Sequence, residues 1–387
     1  MHQIEVNGVL QRGTIYLAGE TIECVITFSN RGNPIPFHGA ETLAWASAQI
    51  HCQRTISESR VNLPTAPAIT PTGGTSSSSS SGITGERGTT VLSTKPKILF
   101  CDLSLRPGES KSFIYRETIP SEAPPTFKGQ AVKYAYKLTI GTQRVETPTK
   151  LLRIPFRVLV LHGLNDISVY TTGDGGEISP TNPFQITRKP ENTICDIALQ
   201  VLSTVTARKQ PNFYNVTNSK GKVARFCLFK QAYKLGEDII GTFDFSDVDI
   251  PCVQYSVTLQ SEEIVSEECR HRPAQGSNIL NHTKHHQFCL HHKKTHMTLP
   301  IPLSVTPGFI TDIVCLRWRL HFEFITSCNK IADHAAPSEP SESSTWRGPE
   351  KLEVETMIWD MPVKIFATNP LLSNGASLLR NSSCMNV

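Results

Sequence analysis

The sequence contains no run of about 18 apolar residues, so no transmembrane helix is expected in its 387 residues. The first ten residues include Glu5 and Asn7 and lack the apolar stretch of a secretory signal. The 11 cysteines are spread along the chain without a CxxC pair, which favours reduced thiols in the cytosol over a disulfide framework. We therefore expect the sequons at Asn215, Asn281 and Asn381 to be chance matches.

Short catalytic motifs are also missing. There is no GxxxxGK[ST] phosphate loop, no GxGxxG after a predicted strand, no HExxH and no GxSxG. The net charge of +4 is too small to indicate nucleic-acid binding, which requires clustered basic residues. We therefore expect no catalytic residues, no cofactor and no nucleic acid, and a function that depends on contacts with other proteins.

Strand patterns dominate what is present. Large apolar residues alternate with smaller or polar ones in residues 132–140, 253–260 and 314–324. A period of two is typical of antiparallel sheets with one buried and one solvated face. Helical periodicity is weak, and the best candidate, residues 196–207, contains valines and threonines that disfavour a helix. The sequence therefore predicts an all-β fold.

The strongest signal is an internal repeat. YLAGETIECVITFSN (16–30) matches YKLGEDIIGTFDFSD (233–247), and a PxFx4V segment begins at both Pro125 and Pro307. A third pair, IPFRV (154–158) and MPVKI (361–365), closes each half. Strand patterns are generic, so two unrelated β-sandwiches could share part of this signal. Three matched segments in one order favour duplication of a single sandwich.

Four polar stretches interrupt the repeat, and they set the predicted boundaries. We expect an N-terminal β-sandwich over 1–162 with a flexible insertion at 65–90, which holds the serine run 76–81. A linker over 163–195 and a C-terminal β-sandwich over 196–366 follow, the second with a His-rich loop at 266–295 and a loop at 329–349. The tail, 367–387, is expected to be disordered. Pro155 and Pro362 predict an edge strand or a bulge.

Longer strings narrow the interpretation. Two tandem sandwiches that open with GExI strands resemble the arrestin fold, and several strings are similar to the Rgp family. Examples are ETLAWASAQIHCQ (41–53), GQAVKYAYKLTIGTQRV (129–145) and LRWRLHFEFITS (316–327). The resemblance covers nearly the whole chain outside the polar stretches. It implies two tandem arrestin-like antiparallel β-sandwich domains.

The same resemblance implies a function. The Rgp family is the arrestin-like partner of a large WD40-containing Ric subunit, and the pair forms a guanine-nucleotide exchange complex. That complex activates a Golgi Rab GTPase of the Rab-six type, preferentially GDP-bound, in retrograde endosome-to-Golgi transport. The implied location is the cytosol and the cytoplasmic face of Golgi membranes, with membrane association only through partners. The family carries no short catalytic motif that could be transferred to this chain.

A histidine cluster offers one alternative function. Histidine and cysteine are zinc ligands, yet the spacing here lacks a paired CxxC…HxxxH framework. We expect a polar loop rather than a metal site. The residues that a metal-binding protein would use are His282, His285, His286, Cys289, His291 and His292.

Two further alternatives concern partner binding. The alternating positions Arg317, Arg319, His321 and Glu323 form one face of a predicted strand and are candidates for meeting a partner, although a solvated outer face is the more usual explanation for an alternating strand. Other arrestin-domain proteins act as cargo or ubiquitin-ligase adaptors and carry PPxY motifs near the C-terminus. Here the only PP pair is Pro124-Pro125, which lies early and is followed by Thr-Phe.

Overall fold

The computed structural model describes residues 4–32, 40–63, 88–161, 194–208, 210–328, 352–374 and 382–387. The N-terminal half, residues 4–161, is built from strands whose inward positions are apolar and whose outward positions are polar, as in the BiBiBiB burial of the first strand. Its strands are β1 (Ile4–Leu10), β2 (Ile15–Leu17), β3 (Thr21–Asn30), β4 (Glu41–Ile56), β5 (Thr89–Ser93), β6 (Lys97–Leu105), β7 (Ser110–Thr118), β8 (Phe127–Lys128), β9 (Val132–Gln143) and β10 (Lys150–Leu159).

The C-terminal half, residues 194–374, begins with a helix and then repeats the strand pattern. Its elements are α1 (Ile194–Val205), β11 (Asn212–Asn218), β12 (Gly221–Leu228), β13 (Ala232–Lys234), β14 (Asp238–Asp244), β15 (Cys252–Val265), a 3-10 turn (Glu267–Cys269), β16 (Asn278–Phe288), β17 (Lys294–Pro300), β18 (Phe309–Ile310), β19 (Val314–Ser327), β20 (Val354–Phe366) and α2 (Pro370–Asn374). A last strand, β21 (Ser382–Asn386), follows. No helix among the described residues is long and apolar enough to cross a membrane.

The strands form a small and a large sheet in each half. The small sheets have the orders β21-β1-β3-β7 and β11-β12-β14-β17. The large sheets have the orders β2-β10-β9-β4-β5, with β6 on β4 and β8 on β9, and β13-β20-β19-β15-β16, with β18 on β19. The two halves therefore share one topology, and the all-β prediction is confirmed.

Each half has its own hydrophobic cluster, to which both of its sheets contribute. Tyr16 lies in the N-terminal cluster and Tyr233 in the C-terminal one. Phe28 from the small sheet and Tyr136 from the large sheet are both fully buried in the first cluster. Large buried aromatic side chains of this kind contribute most of the burial energy of a β core. The two copies therefore have separate cores, as duplication of one unit requires.

The repeat is also visible in the turns that open each copy. Gly19 and Gly236 have φ of 89° and 83°, a conformation that glycine adopts without steric cost. Glu20 accepts a hydrogen bond from the Leu17 N–H at 2.6 Å, and its counterpart Glu237 accepts one from the N–H three residues before it at 2.9 Å. The residues shared by the two repeats thus form the same turn in each half, and in each the glutamate carboxylate accepts a backbone hydrogen bond that closes the turn.

Pro155 and Pro362 lie on strands that are flanked on both sides, but at positions where the short flanking strand, β2 or β13, has not yet begun. The parallel partner of β10 pairs only from Arg157 onward, where the Arg157 N–H donates to Thr14 at 2.7 Å. Pro155, two residues earlier, directs its nitrogen to the same side and meets no strand there. Pro362 likewise lies two residues before Lys364, whose N–H donates to the carbonyl of Gln231, the residue before β13. Neither proline interrupts a ladder, because both precede the short parallel pairing.

Three expectations from the sequence need correction. The predicted loop at 266–295 contains strand β16, which pairs with β15 and sits at the edge of its sheet without a single buried residue, so its sequence has the polarity of a loop. The predicted disordered tail over 367–387 contains α2 and β21, and β21 pairs with β1. Residues 196–207 correspond to helix α1, which buries Ala198, Val201 and Leu202 and so offsets its weak intrinsic propensity.

The remaining predicted polar stretches fall mostly on residues that the structure does not describe. The insertion at 65–90 lies outside the described residues except for its last three, and β5 begins at Thr89. The linker at 163–195 lies outside them except for its last two residues, which belong to α1. The loop at 329–349 lies entirely outside them.

Candidate functional site

The two halves meet at a junction in which equivalent residues of the two repeats make equivalent contacts. The Ser57 N–H donates to Ala131 at 2.8 Å, and the Ser266 N–H donates to Ile313 at the same distance. Ala131 and Ile313 each lie one residue before the valine of the PxFx4V segment. The loops that follow β4 and β15 are therefore equivalent, and both lead into the junction.

Equivalent residues contact each other across this junction. Val61 forms an isolated antiparallel bridge with its counterpart Arg270. The flanking N–H groups donate across it in both directions, Asn62 to Cys269 at 2.9 Å and His271 to Arg60 at 3.2 Å. The halves are thus related by a local two-fold arrangement, which places each segment against its own copy.

Apolar contacts reinforce the same arrangement. Phe127 and Phe309, the phenylalanines of the two PxF segments, pack edge to face with ring centroids 5.0 Å apart. Both are buried, and Phe309 and Val314 belong to the hydrophobic cluster of the opposite half. Conversely, Ile15 and Leu17 of the N-terminal strand β2 belong to the C-terminal hydrophobic cluster. Because each core is completed by side chains of the other half, the junction fixes the orientation of the halves.

One buried carboxylate crosses the junction. Glu263 of β15 is 4% exposed. Its Oε2 accepts the Gln130 N–H at 2.8 Å, and its Oε1 accepts those of Ala131 at 3.0 Å and Val132 at 3.3 Å. A Cβ on Gly129 would lie 2.2 Å from Oε1, so only glycine leaves room for the carboxylate. Three backbone donors satisfy the charge that burial would otherwise destabilise.

The equivalent position in the N-terminal half carries the opposite charge. Arg54 occupies in β4 the place that Glu263 occupies in β15, and its Nη1 lies 3.9 Å from a carboxylate oxygen of Asp312. A second arginine, Arg157, donates to the carbonyls of Leu303 at 3.0 Å and Val305 at 2.6 Å, and its burial lowers the pKa of the guanidinium. The charged contacts of the junction therefore distinguish one half from the other.

The partner-binding candidates lie together on the outer face of the C-terminal large sheet, which we call the charged sheet face. Arg319 lies 3.2 Å from Asp360 of β20 and donates to Gln260 of β15 at 2.9 Å. His321 Nδ1 lies 2.6 Å from the same aspartate, and its Nε2 lies 3.6 Å from Glu323. Three of the four candidates are thus held in a network within the sheet.

The network extends to the edge of that sheet. Glu323 accepts from Ser256 Oγ at 2.8 Å and lies 3.4 Å from the ammonium of Lys284 on β16. These contacts, the serine hydrogen bond first, lower the pKa of the Glu323 carboxyl. Arg317 is the exposed member of the four.

The histidine candidates belong to β16 and the turn after it, and they point to different neighbours. His282 Nε2 lies 2.8 Å from Ser261 Oγ, and its ring packs 4.7 Å from that of Trp318. His285 stacks on Tyr255 at 5.9 Å. Cys289 is buried, His286 contacts Phe288, and His291 and His292 are exposed. Within the described part of the chain, no three His, Cys, Asp or Glu side chains come together to hold a metal ion.

The chain is similar to known proteins over nearly its whole length. The model of the Rgp1 family matches residues 42–163 and 175–327. A human protein named "RAB6A-GEF complex partner protein 2" is 45% identical over 389 residues, which cover 97% of each chain. Its bovine counterpart of the same name is 46% identical over 385 residues, which cover 96% of this chain and 95% of the relative.

The chain belongs to the Rgp1 family. The residues matched by the Rgp1 model include Gly129 and Glu263 of the junction and all four candidates of the charged sheet face. Strands β1, β2, β3, β20 and β21 lie outside the matched residues. The match therefore covers Gly129 and Glu263 of the junction but not Ile15 and Leu17 of β2.

Sequence reasoning missed Glu263, although a signal for it exists. Tyr255, Val257 and Leu259 point inward from β15, and the same alternation places Ser261 and Glu263 inward as well. A charged residue at an inward position requires buried hydrogen-bond partners, here in the opposite half of the repeat. The partners are backbone N–H groups, which leave no mark in the sequence beyond Gly129.

The half-buried histidines of this Rgp1-family chain predict a pH-dependent stability. Partial burial lowers the pKa of both His282 and His285. Since the folded-state pKa lies below the unfolded one, this contribution is complete above about pH 6.5 and is lost as pH falls further. We expect the free energy of unfolding to fall from pH 7 to pH 5, with a slope for each histidine well below the limit of about 1.4 kcal/mol per pH unit, because solvent screens rings that are half exposed.

The double variant His282→Gln/His285→Gln should flatten this dependence in chemical denaturation at the two pH values. The matched control is His292→Gln, which changes an exposed histidine of the following turn and should keep the wild-type slope. Equal slopes for all three proteins would show that the two half-buried rings do not account for the effect.

Proposed function

We propose that this chain is a subunit of a guanine-nucleotide exchange complex that acts on a Rab6-type GTPase. The observation that carries the proposal is the similarity over nearly the full length to two relatives whose names place them in a RAB6A-GEF complex. The rigid junction between the halves supports it, because a two-domain chain with fixed orientation can present one extended surface to its partners.

The architecture we propose is a pair of arrestin-like β-sandwich domains over 1–162 and 196–366. The shared strand order of the two halves and the two hydrophobic clusters support this assignment. In each half the small and large sheets contribute to one core, as the sheets of a sandwich do.

The mechanism we propose requires contact surface and no acid–base residue. A small GTPase holds its nucleotide through switch loops, Mg²⁺ and phosphate contacts. A factor that binds the nucleotide-free state more tightly than the GDP-bound state must weaken GDP binding by the same factor. In this proposal the chain braces a large WD40-containing Ric subunit and adds to the surface that meets the GDP-bound GTPase at the cytoplasmic face of the Golgi.

The alternatives are less well supported. A cargo or ubiquitin-ligase adaptor would need a ligase-binding motif, and the relatives carry the name of an exchange complex instead. A metal-binding function would rest on the histidines of β16, whose described side chains contact a serine and aromatic rings.

Nucleotide-release kinetics test the proposal. A Rab6-type GTPase loaded with a fluorescent GDP analogue is mixed with the chain alone, with the large subunit alone, and with both. We expect release to be faster by about tenfold or more only when both are present, within the range of ordinary coupling energies. A GTPase of another type serves as the specificity control. Equal rates with and without this chain would contradict the proposed role.

A further inference from the structure

The outer face of the N-terminal large sheet is basic. Strand β9 buries Val132, Tyr134 and Tyr136, so the residues between them point outward. Lys133 is therefore outward, and Lys128 of β8 lies directly opposite it in the register. Both lysines are exposed. Together with the outward side chains of β4 and β10, they form what we call the basic sheet face.

Like charges are brought together on this face. Lysines placed opposite each other on antiparallel strands repel, which lowers stability. On the other side of β9, Arg153 of β10 lies opposite Thr139, and its charge, second to burial, lowers the pKa of His51 on β4. Lys137, also outward, donates to the uncharged amide oxygen of Gln53 at 3.5 Å. The fold thus holds cations near one another at a cost.

No carboxylate lies at the outward positions of β4, β9 and β10. The outward positions are the odd-numbered residues 45–55 of β4, 133–143 of β9 and 151–155 of β10, and none is aspartate or glutamate. Neither Lys128, Lys133 nor Arg153 has a salt bridge to a described residue. The absence of acidic side chains from these positions does not reflect the overall composition, since the whole chain carries 34 Asp and Glu residues.

The repeat supplies an internal comparison. The charged sheet face occupies the same place in the C-terminal half, where Asp360 stands at the position of Arg153 and Glu262 at that of Gln53. Asp360 pairs there with Arg319 and His321. The sheet therefore accommodates carboxylates at these positions, and only the N-terminal copy replaces them with a cation and an amide.

We propose that the basic sheet face binds an extended acidic segment of a partner protein. From Lys133 to the row of Arg153 is six residues of β9, roughly 20 Å at about 3.4 Å per residue. An extended chain presents every second side chain to one side, so about three glutamates or aspartates would span that distance. The glutamine, serine and threonine side chains between the cations can donate to and accept from a peptide backbone.

A membrane suits this face less well. Peripheral membrane surfaces combine basic residues with protruding tryptophan, phenylalanine or leucine side chains that enter the lipid. The centre of the basic sheet face lies on regular strands and consists of the polar residues Gln49, His51, Gln53, Lys137 and Thr139 and the small Ala135. Leu151 of β10, 39% exposed, is a single apolar side chain beside them and does not form a protruding cluster. Trp45, at one end, donates its indole N–H to Gln143 at 2.8 Å and is held in the sheet.

The test uses the full chain and two defined probes. One is a fluorescein-labelled decapeptide of alternating glutamate and serine, followed by anisotropy. The other is a phosphatidylcholine vesicle containing phosphatidylserine and a phosphatidylinositol phosphate. We expect the peptide to bind and its affinity to fall as salt rises above about 0.1 M, because exposed charges are screened there.

The variant Lys128→Glu/Lys133→Glu/Arg153→Glu reverses the charge at three cations of the face and retains a like-charged pair at positions 128 and 133. We expect it to bind the peptide at least about tenfold more weakly. The control, Lys111→Glu/Lys293→Glu/Lys364→Glu, makes the same change in net charge at three exposed lysines elsewhere and should bind within about twofold of wild type.

Lys133→Glu alone separates folding from binding. It places a glutamate opposite Lys128, so it should raise the midpoint of thermal unfolding while it lowers the affinity for the peptide. The proposal is overturned if wild type does not bind the peptide, or if both triple variants bind alike. It is also overturned if vesicles and not the peptide respond to the reversal.

Discussion

Replacing Glu263 by alanine is expected to lower the free energy of unfolding by about 3–5 kcal/mol, the usual cost of removing one partner from a buried charged contact. The change leaves the N–H groups of Gln130, Ala131 and Val132 without their acceptor. Two of these groups lie in the buried junction, where water cannot replace the carboxylate without entering it.

A graded series makes the expectation sharper. Glu263→Gln keeps one oxygen for Ala131 and Val132 and loses the acceptor of Gln130, so its cost should be intermediate. The neighbouring Glu262 points to the outer face of the sheet, and Glu262→Gln should change stability by no more than about 0.5 kcal/mol.

Urea denaturation and amide hydrogen exchange would measure this series. In the alanine variant, the amides of Ala131 and Val132 should exchange faster, while those in the centres of both sheets keep their protection. If Glu263→Ala unfolds at the same urea concentration as Glu262→Gln, the carboxylate does not hold the halves together.

Deleting residues 382–387 is expected to lower the free energy of unfolding by about 3 kcal/mol and to promote aggregation. The deletion removes the five residue pairs between β21 and β1 and exposes the place of Val387, which is 2% exposed, and burial of a valine alone contributes about 1.5–3 kcal/mol. It also leaves β1 as an unpaired edge, which is a template for pairing with other chains.

Thermal unfolding with light scattering would test the deletion, and hydrogen exchange in Ile4–Leu10 would locate it. Cys384→Ser is the matched control, because that side chain is exposed and the strand stays in place. Unchanged exchange in β1 after the deletion would mean that β21 contributes nothing to that edge.

The repeat allowed much of this fold to be predicted from sequence. Turns that need a positive φ and strands that bury every second residue leave local patterns, so Gly19, Gly236 and the alternation of β9 and β19 were all readable. Because the pattern occurs twice, the second copy supported the first, and the two hydrophobic clusters agree with it.

What escaped prediction depends on contacts distant in sequence. Strand β16 has no buried residue, and β21 has only five residues, so neither carries an apolar period of its own. Both are strands because a neighbour offers an unpaired edge, β15 in one case and β1 in the other. Edge pairing of this kind depends on tertiary structure and leaves little trace in a single sequence.

The reversed charges at the junction also decide which halves can pair. If two N-terminal halves met in this geometry, Arg54 of each would face the backbone N–H groups of Gln130–Val132, donors against a cation. If two C-terminal halves met, the buried Glu263 of each would face the carboxylate of Asp312, a like charge, without the three backbone donors. Only a pair made of one N-terminal and one C-terminal half satisfies both Glu263 and Arg54. The junction therefore favours an N-terminal half against a C-terminal half, and association of two like halves from neighbouring molecules is penalised.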